Sequence, residues 1–576
     1  MICPWSSGRS RCPSTPRCLK AEGITCAAYR LGRNAAYGYG DRLAAQLAHV
    51  SAWAGRTSSG DIGELGLPDE SPLYPFITST SDNCLGQGCP EACHLVRARR
   101  EAQAAEVVVV NHHLLLADLT LREEGFAELL PGADAVIVDE AHQLPEVAQL
   151  FFSTSLGSRQ LLELCRDTVA AERDEAGDLE GLRRAAVALE QATGDFTHAL
   201  GATHRRAVWS EIAEQPRVGA AHTTLRQALA DLATALEDGA CRGEGLKHCR
   251  RRVQGLSERL ATVTGADGEA DGLCWFESHE RGFTLTSTPA QIGEAFTSRL
   301  RTGDCAWVFT SATLAVGNDF GYFQGRLALA KARTARWESP YDYARQALLY
   351  LPEMTVAPNR PGYTEAVMAA SLPVLLASRG RAFLLFTSHR ALAEAARWLG
   401  PRWSFPLLVQ GEAPRTELLR RFRTGEVSVL LGTQSFWEGV DVRGEALSLV
   451  VIDKLPFAAP EDPLTKAQIQ RIERDGRNPF LEYQVPEAVI ALKQGVGRLI
   501  RGPEERGVLM LCDPRIHTRS YGQMFLTALP PMRRTSELRD VQSFFASAGS
   551  ILTQPMSHRP SSTDLEVPLP SGRRLP

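Results

Sequence analysis

The sequence predicts an α/β protein built on two parallel β-sheets with helices on both faces. Short, uninterrupted runs of apolar residues alternate with helical patterns along most of the chain. Such runs are typical of strands that are buried on both faces, as the strands of parallel sheets are. A stretch from about 155 to 265 carries helical patterns and no strand pattern, which indicates an all-helical insertion.

Composition and charge limit the classes of protein that fit. The chain has 576 residues, 44% of them hydrophobic and 23% charged, which are ordinary globular values. This length corresponds to about four domains. The net charge of -4 gives no overall basicity toward nucleic acid. No apolar run reaches the roughly 18–20 residues that span a bilayer, and no secretory signal is present, so we expect a cytoplasmic protein without a membrane partner.

The amino-terminal part combines an irregular segment with the first predicted strands. Residues 1–33 are rich in Pro, Ser, Arg and Cys and show no regular period, so we expect them to be irregular and non-native. Helical patterns cover 41–54 and 97–105. Buried strands are predicted at 107–110 and 135–138 because both are continuous apolar runs.

A second series of strands follows the predicted insertion. The remaining predicted strands are 283–286, 307–309, 347–351, 382–386, 407–409, 427–431, 447–452 and 507–511. The Pro- and Ser-rich residues 549–576 predict a disordered tail.

Two adjacent carboxylates follow the predicted strand 135–138. Asp139 and Glu140 stand at the carboxyl end of a parallel strand, where such sheets bind ligands, and His142 follows in the motif DEAH. In nucleoside triphosphatases, an Asp at this place helps to hold Mg²⁺ and a Glu orients the attacking water. Taken alone, these residues are also compatible with a strand that is followed by a helix beginning with acidic residues.

Further polar motifs follow other predicted strands in a fixed order. They are Ser311-Ala312-Thr313, Thr387-Ser388-His389-Arg390, the loop 432–441 that ends in Asp441, and QGVGRLIR at 494–501. Arg498 and Arg501 are three residues apart, so on a helix they share one face and would reach a γ-phosphate as arginine fingers. Together with DEAH, these motifs predict a nucleotide-driven motor.

From about residue 31 to about 547, the chain resembles the superfamily 2 DNA helicases of the DinG/YoaA and XPD type. The stretches TSTSDNCLGQGCP, VVVVNHHLLLADL, DEAHQLPE, FTSATL, QSFWEGVDV and QGVGRLIR all read like the bacterial YoaA/DinG branch. The resemblance implies two RecA-like motor domains that use ATP and Mg²⁺ to move 5′→3′ on single-stranded DNA. It also implies a 4Fe-4S cluster and a role in DNA repair.

The resemblance assigns site roles and domain boundaries. Asp139, Glu140 and His142 would be catalytic, Ser311, Ala312 and Thr313 would couple hydrolysis to DNA, and Asp441, Gln494, Gly497, Arg498 and Arg501 would face the nucleotide from the second domain. The expected domains are the cluster segment 34–105, a first helicase domain at 106–154 and 270–335, an arch-like helical insertion at 155–269, and a second helicase domain at 336–548.

The cysteines match the family with one defect. Cys84, Cys89 and Cys93 supply three thiolates at a spacing that suits a cluster, whereas the family uses four. Tyr39 stands where the fourth cysteine is expected, and Cys26 is the nearest substitute. Zinc, or no metal at all, remains an alternative for these cysteines.

The phosphate loop of the motor is missing from the sequence. It needs Gly-Lys followed by Ser or Thr, so that backbone amides and an ammonium hold the phosphates. None of the six lysines follows Gly or precedes Ser or Thr. We therefore expect a helicase recorded in truncated form, with impaired ATPase activity.

Two functions stay open on these grounds. The first is an ATP-dependent 5′→3′ helicase acting on single-stranded or forked DNA, and the alternative is a non-motor DNA-binding remnant. Candidate DNA contacts are Arg97, Arg99, Arg100, His389, Arg390 and Trp437, none of which is assigned individually. The sequence does not identify any protein partner.

Overall fold

The computed structural model describes residues 17–18, 25–27, 30–32, 34, 41–67, 71–78, 93–123, 130–201, 205–265, 272–280, 282–289, 291–300, 305–358, 360–424, 427–433, 436 and 447–551. The chain divides into two compact units. Unit 1 comprises residues 1–338, 455–494 and 516–528, and unit 2 comprises 339–454, 495–515 and 529–576.

Unit 2 is built on a parallel sheet of seven strands in the order β11-β12-β10-β13-β14-β9-β15. The strands are β9 (Ala347–Tyr350), β10 (Ala382–Leu385), β11 (Leu407–Val409), β12 (Val429–Gly432), β13 (Leu449–Ile452), β14 (Gly507–Leu511) and β15 (Arg533–Thr535). Every residue of β9, β10, β12, β13 and β14 is buried. The continuous apolar runs are therefore strands covered on both faces, as the sequence predicts.

Helices pack against this sheet. The helices of unit 2 are α12 (Tyr343–Gln346), α13 (Tyr363–Ala377), α14 (His389–Leu399), α15 (Arg415–Thr424) and α20 (Leu538–Ile551). α14 begins where Ser388 caps it, because the Ser388 hydroxyl accepts a hydrogen bond from the Ala391 amide at 3.2 Å.

The carboxyl-bearing motif DEAH follows a sheet of unit 1 that consists, among the described residues, of two parallel strands. β3 (Ala135–Val138) pairs with β8 (Ala306–Phe309) in the register Val138 to Phe309. One face of this pair carries Val136, Val138, Trp307 and Phe309, which pack on a core that includes Leu116, Leu144, Phe296 and Phe323.

The other face of the same two strands is open. Ile137 is 69% exposed and its neighbour Val308 is 44% exposed. Val109 in strand β2 (Val108–Val109) and Val107 just before that strand are also exposed, again at every second residue. Parallel sheets ordinarily bury both faces, so this face is apolar but uncovered.

The stretch 155–265 contains strands as well as helices, and these strands pair with two further strands that follow it, so the expectation of an all-helical segment was wrong. β4 (Thr154–Gly157), β7 (Gly282–Pro289), β6 (Gly272–His279) and β5 (Arg206–Val208) form an antiparallel sheet in that order. Four helices pack on it: α6 (Ser158–Glu175), α7 (Glu180–Leu200), α8 (Pro216–Gly239) and α9 (Glu244–Thr264). β5 is only three residues long, and β6 mixes polar and apolar residues, so neither gave a continuous apolar run.

A small separate core lies in the cysteine-bearing segment. Cys26, Leu47, Val50, Ile62 and Ile77 are buried together there. This segment contains α1 (Asp41–Ala54), α2 (Tyr74–Ile77) and α3 (His94–Gln103). The short strand β1 (Arg17–Cys18) pairs in parallel with β2.

Further helices belong to unit 1. They are α4 (His112–Glu123), α5 (Leu144–Phe151), α10 (Gly293–Leu300), α11 (Gly321–Arg326), α16 (Pro463–Arg474), α17 (Val485–Val496, which ends within unit 2), α18 (Arg515–Thr518, likewise shared) and α19 (Gly522–Ala528). None of the described helices combines the length and the apolar character that crossing a membrane requires.

Candidate functional site

The candidate motor site lies at the carboxyl edge of β3 and β8 in unit 1. The Thr310 amide donates to the Val138 carbonyl at 2.8 Å, and the Ala141 amide donates to the Thr310 carbonyl at 2.9 Å. These bonds continue the pairing of β3 and β8 beyond the ends of both strands. The DEAH motif and the loop that contains Ser311 are therefore held side by side. The Thr310 hydroxyl also donates to Asp139 Oδ1 at 3.2 Å.

Side chains of the two motifs form one hydrogen-bonded network. Ser311 Oγ donates to Glu140 Oε2 at 3.2 Å, and His142 Nδ1 lies 2.8 Å from the same hydroxyl. Ser311 Oγ also accepts from the Thr313 amide at 3.1 Å. A proton on His142 Nδ1 satisfies all of these contacts, because the hydroxyl then accepts twice and donates once.

The backbone of the site is strained at Glu140, the second of the two adjacent acidic residues. Glu140 has a φ of 48°, in the left-handed region that a side chain with a Cβ rarely adopts. Its carboxylate is 59% exposed, whereas the His142 side chain is buried. The arrangement points Glu140 toward solvent while the neighbouring histidine fixes the loop behind it.

His112 is a site residue that sequence reasoning missed. Its Nε2 lies 2.9 Å from the backbone carbonyl of Asp139, so it holds the first acidic residue of DEAH from helix α4. The residue belongs to the stretch NHHLL after β2, but spacing in the sequence does not reveal the contact. Its signal is a pair of histidines that closely follows the apolar run of strand β2.

The loop after Thr313 is tied to helix α17, which carries Gln494. Lys493 Nζ donates to the Ala315 carbonyl at 3.2 Å. Burial lowers the pKa of Lys493, and the nearby Arg336 lowers it further. Gln494 itself is half-buried at the end of unit 1.

A buried ionic cluster reinforces the same connection. Arg326 Nη1 on α11 lies 2.7 Å from Glu487 Oε1 on α17, and the Tyr322 hydroxyl donates to the same carboxylate. The guanidinium also lies over the ring of Tyr483. Burial and the negative charge of Glu487 hold the pKa of Tyr322 well above its ordinary value.

In unit 2, the two motif arginines do not share a helix, so that part of the sequence prediction was wrong. Helix α17 ends at Val496, and Gly497, Arg498 and Arg501 lie in the turn and loop that follow. The Tyr341 hydroxyl donates to the Arg501 carbonyl at 2.8 Å. Local hydrogen bonding, not helical periodicity, therefore holds the backbone at Arg501.

The loop that carries Arg501 is anchored by one buried amide. Gln346 Nε2 lies 2.8, 3.0 and 2.9 Å from the carbonyls of Gly502, Pro503 and Glu505, respectively. The Glu505 carboxylate accepts in turn from the Arg501 amide. These contacts fix the backbone path of the motif within unit 2.

The polar edge of the unit 2 sheet contains a fully buried carboxyl group. Asp453 follows β13, and its Oδ1 accepts from the amides of Lys454 at 2.7 Å and Thr387 at 3.1 Å. Burial raises the pKa of Asp453 to about 7, although the Lys454 charge and these donors act in the opposite direction. Asp453 thereby joins β13 to the loop before α14, which bears His389 and Arg390.

Several predicted site residues lie outside the described part of the chain. They are Cys84, Cys89, Tyr39, Asp441 and the DNA candidate Trp437. Of the described DNA candidates, Arg97 contacts His94 and the Ser58 carbonyl, and Arg390 pairs with Glu394 at 3.0 Å. Their assignment to DNA stays a prediction.

Cys93 and Cys26 of the amino-terminal segment are both buried. Cys93 stands immediately before α3. Burial first, and the thiol of Cys93 second, raise the pKa of Cys26 to about 11. Among the described residues, no group of three or more potential ligands forms a metal site.

Comparison with known proteins finds a matching domain family, similar helicases and a solved structure with a similar fold. Residues 372–532 match the helicase C-terminal domain family. The ATP-dependent DNA helicase YoaA of Escherichia coli is 40% identical over 504 residues, which span 87% of this chain and 79% of that protein. The ATP-dependent helicase DinG of Mycobacterium tuberculosis is 30% identical over 521 residues, spanning 87% of this chain and 76% of that protein. A solved XPD helicase shares the fold, with a TM-score of 0.51 at 15% identity over 92% of this chain and 87% of that structure.

Proposed function

The chain belongs to the YoaA/DinG family of ATP-dependent DNA helicases, and we propose that it is the motor of a 5′→3′ helicase. Its substrate is single-stranded or forked DNA, and its setting is DNA repair in the bacterial cytoplasm or nucleoid. The observation that carries the proposal is the network of Glu140, His142 and Ser311, because it joins the acidic motif directly to the coupling loop.

The geometry supports a distinct role for each group at the edge of β3 and β8. Asp139 would hold Mg²⁺, and its carboxylate is already oriented by the Thr310 hydroxyl. Glu140 would orient the attacking water from its exposed position. Ser311, hydrogen-bonded to Glu140, would transmit a change at the nucleotide through Ala312 and Thr313 toward bound DNA.

Residues of the second motif group are proposed to act on the nucleotide as well. Arg498 and Arg501 would stabilise the charge that develops on the γ-phosphate, as guanidinium groups do in phosphoryl transfer. Gln494, Gly497 and Asp441 would also contact the nucleotide. The anchoring of Arg501 by Tyr341 and Gln346 supports this role, since an arginine finger needs a fixed backbone.

We further propose that these 576 residues alone turn over ATP poorly. The sequence offers no lysine in the context Gly-Lys-Ser/Thr, so the β- and γ-phosphates lack their usual ammonium and amide cradle. The open apolar face of Ile137 and Val308 supports the idea that a strand–loop–helix segment with such a cradle packs there.

The alternative function is DNA binding without ATP hydrolysis. The missing phosphate loop favours this alternative, because a protein with all the other motor motifs could bind a nucleotide without hydrolysing it. The two functions make different predictions once a phosphate loop is supplied from outside.

The deciding experiment measures DNA-stimulated Mg²⁺-ATP hydrolysis by the purified chain, alone and with a separately expressed phosphate-loop segment of the E. coli YoaA protein. We expect no turnover by the chain alone and measurable turnover by the mixture. Glu140→Gln should abolish that turnover, whereas Glu106→Gln, at an exposed carboxylate before β2, should leave it unchanged. Unwinding of duplexes with 5′ or 3′ tails then reports the polarity.

Each outcome distinguishes the proposals. Robust turnover by the chain alone contradicts the expected impairment. A complex that forms with the segment but remains inactive favours the non-motor alternative. Preferential unwinding of 3′-tailed duplexes contradicts the proposed direction.

The cysteines support a 4Fe-4S cluster as the proposed metal cofactor. Cys93, together with Cys84 and Cys89, would hold it, and the buried position of Cys93 suits a thiolate ligand that is shielded from water. When bound, such a cluster cross-links its thiolates and adds a one-electron redox centre. Zinc in the same thiolate set is the alternative, and the two differ in visible absorption and metal content.

A further inference from the structure

Helix α9 of the insertion concentrates positive charge in a chain whose net charge is -4. Lysine, histidine or arginine occupies five of the six positions from Lys247 to Arg252. Apolar residues of the same helix, among them Leu246, Val253 and Leu260, are buried in the core of the insertion. Since one face of α9 packs on that core, most of the basic side chains lie on the rest of its surface.

A cavity of about 210 Å³ lies along this basic part of α9. Its lining includes Gln160 of α6 and, on α9, His248, Arg251, Arg252, Gly255 and Arg259. The α9 residues follow one another at the spacing i, i+3, i+4, i+7 and i+11, so they share one face of the helix. Three guanidinium groups and an imidazole therefore line a single cavity.

Gly255 keeps the middle of this face open. Glycine is unfavourable in the interior of a helix, because it loses more conformational freedom on folding than other residues do. A Cβ placed at Gly255 would meet no atom within 4 Å. The glycine thus leaves free space between Arg251 and Arg259, which lie one helical turn to either side of it.

The positive charges that line the cavity are unevenly compensated. Arg252 Nη1 donates to Asp167 Oδ2 of α6 at 2.6 Å, and the Arg252 side chain is only 9% exposed. This ion pair fixes one guanidinium group between α6 and α9. Arg251 is exposed and has no ion-pair partner among the residues that the structure describes. An uncompensated positive charge therefore stands beside the fixed pair.

We propose that this cavity binds a backbone phosphate of single-stranded DNA. Guanidinium groups bind phosphate oxygens through paired hydrogen bonds, so several arginines on one face suit that ligand. The volume is below the roughly 300–1,000 Å³ of pockets that enclose a whole small molecule, so it suits one phosphate of a longer chain better than a free nucleotide. The insertion thereby holds the strand without reading its sequence, through residues that do not belong to the motor site.

This inference rests on the proposed DNA substrate, and its test needs no ATP. Binding of the purified full chain to a fluorescently labelled oligothymidylate is measured by anisotropy over a range of salt concentrations. Gly255→Leu fills the cavity and keeps every charge, so it should weaken binding about tenfold because the phosphate can no longer reach the guanidinium groups. Arg251→Gln removes one phosphate contact, so it should weaken binding about tenfold and lower the slope of log affinity against log salt by about 0.7.

Gly194→Leu is the matched control for the cavity-filling variant. Gly194 also lies within a long helix, α7, and a Cβ there would likewise meet no atom within 4 Å. Because Gly194 does not line the cavity, this variant should bind the oligonucleotide as the wild-type chain does. Circular dichroism establishes that every variant is folded.

Hydrogen exchange locates the contact and separates DNA from free phosphate as the ligand. The oligothymidylate should protect peptides of α6 and α9 in the wild-type chain and not in Gly255→Leu. Inorganic phosphate in place of the oligonucleotide should protect these peptides only at concentrations far above those of the DNA, since it brings none of the neighbouring backbone contacts.

The possible results are distinct. Weaker binding by both cavity variants, with protection of α9 by DNA, supports the inference. DNA bound equally by the wild-type chain, Gly255→Leu and Arg251→Gln overturns it and leaves the helicase proposal standing. Protection of α9 by inorganic phosphate, with oligonucleotide affinity unchanged in both variants, assigns the cavity to a free anion and also overturns it. A wild-type chain that binds no oligonucleotide overturns the proposed function and this inference together.

Discussion

Replacing Asp453 by Asn should stabilise unit 2 at alkaline pH and have no effect at acid pH. Asp453 is fully buried, and its pKa rises from 3.8 to about 7. A carboxyl group whose pKa is higher in the folded state stabilises the fold fully below pH 3.8, and that stability is lost as pH rises through about 7. At about 1.4 kcal/mol for each pH unit, the loss reaches roughly 4 kcal/mol at pH 8.

Asparagine preserves the contacts that Asp453 makes. Its carbonyl oxygen can accept from the amides of Lys454 and Thr387, as Oδ1 does now. Its amide nitrogen can donate to the Thr387 hydroxyl, which lies 3.4 Å from Oδ2. The variant therefore removes the charge and keeps the hydrogen bonds, so the predicted gain is the cost of burying that charge.

Urea unfolding between pH 4 and pH 8, with hydrogen exchange of the peptides around Thr387 and Lys454, measures the effect. Asp513→Asn is the control, since Asp513 is equally buried but pairs with Arg515 at 2.6 Å. Losing that charged pair should destabilise unit 2 by about 1.5–3 kcal/mol at pH 8. An Asp453→Asn variant that is no more stable than wild type at pH 8, or equally stabilised at pH 4, refutes the reasoning.

Two further predictions concern unit 1. Arg326→Met should cost about 3–5 kcal/mol in urea unfolding, because it leaves the Glu487 carboxylate partly buried without its cation. The double variant with Glu487→Leu should recover most of that loss, and a double variant as unstable as the single one contradicts the argument. Ile137→Thr on the open sheet face should change stability by less than about 0.5 kcal/mol, whereas Val138→Ala on the packed face should cost about 2 kcal/mol. Equal costs at the two positions would show that the face is covered.

The fold of unit 2 follows largely from local sequence. The strands β11 and β14 begin and end where their apolar runs do, and β3 of unit 1 behaves in the same way. A continuous apolar run of this length fits a strand of a parallel sheet, so the sequence places these elements directly, although β3 is covered on one face only. It missed β5 and β15, because both are short strands with polar residues whose pairing depends on neighbours distant in the chain.

The candidate motor site was predictable in composition but not in geometry. The motifs containing Glu140 and Ser311 each follow a strand, so the rule that parallel strands bind ligands at their carboxyl ends placed them on one edge. The tertiary structure added His112, which reaches the Asp139 carbonyl from another helix. It also moved Arg498 off the expected helix, because α17 ends at Val496.

The sequence by itself determined the chemistry available to this protein: two carboxylates, two arginines, a set of thiols and no lysine in a phosphate loop. Residue identity and chain order are sufficient for such statements, since they require no knowledge of distance. Only the tertiary structure decided that His112 reaches the Asp139 carbonyl and that Ile137 faces solvent. Both facts depend on contacts between segments far apart in the chain, and no local pattern records which distant residues fill or leave empty the space around a side chain.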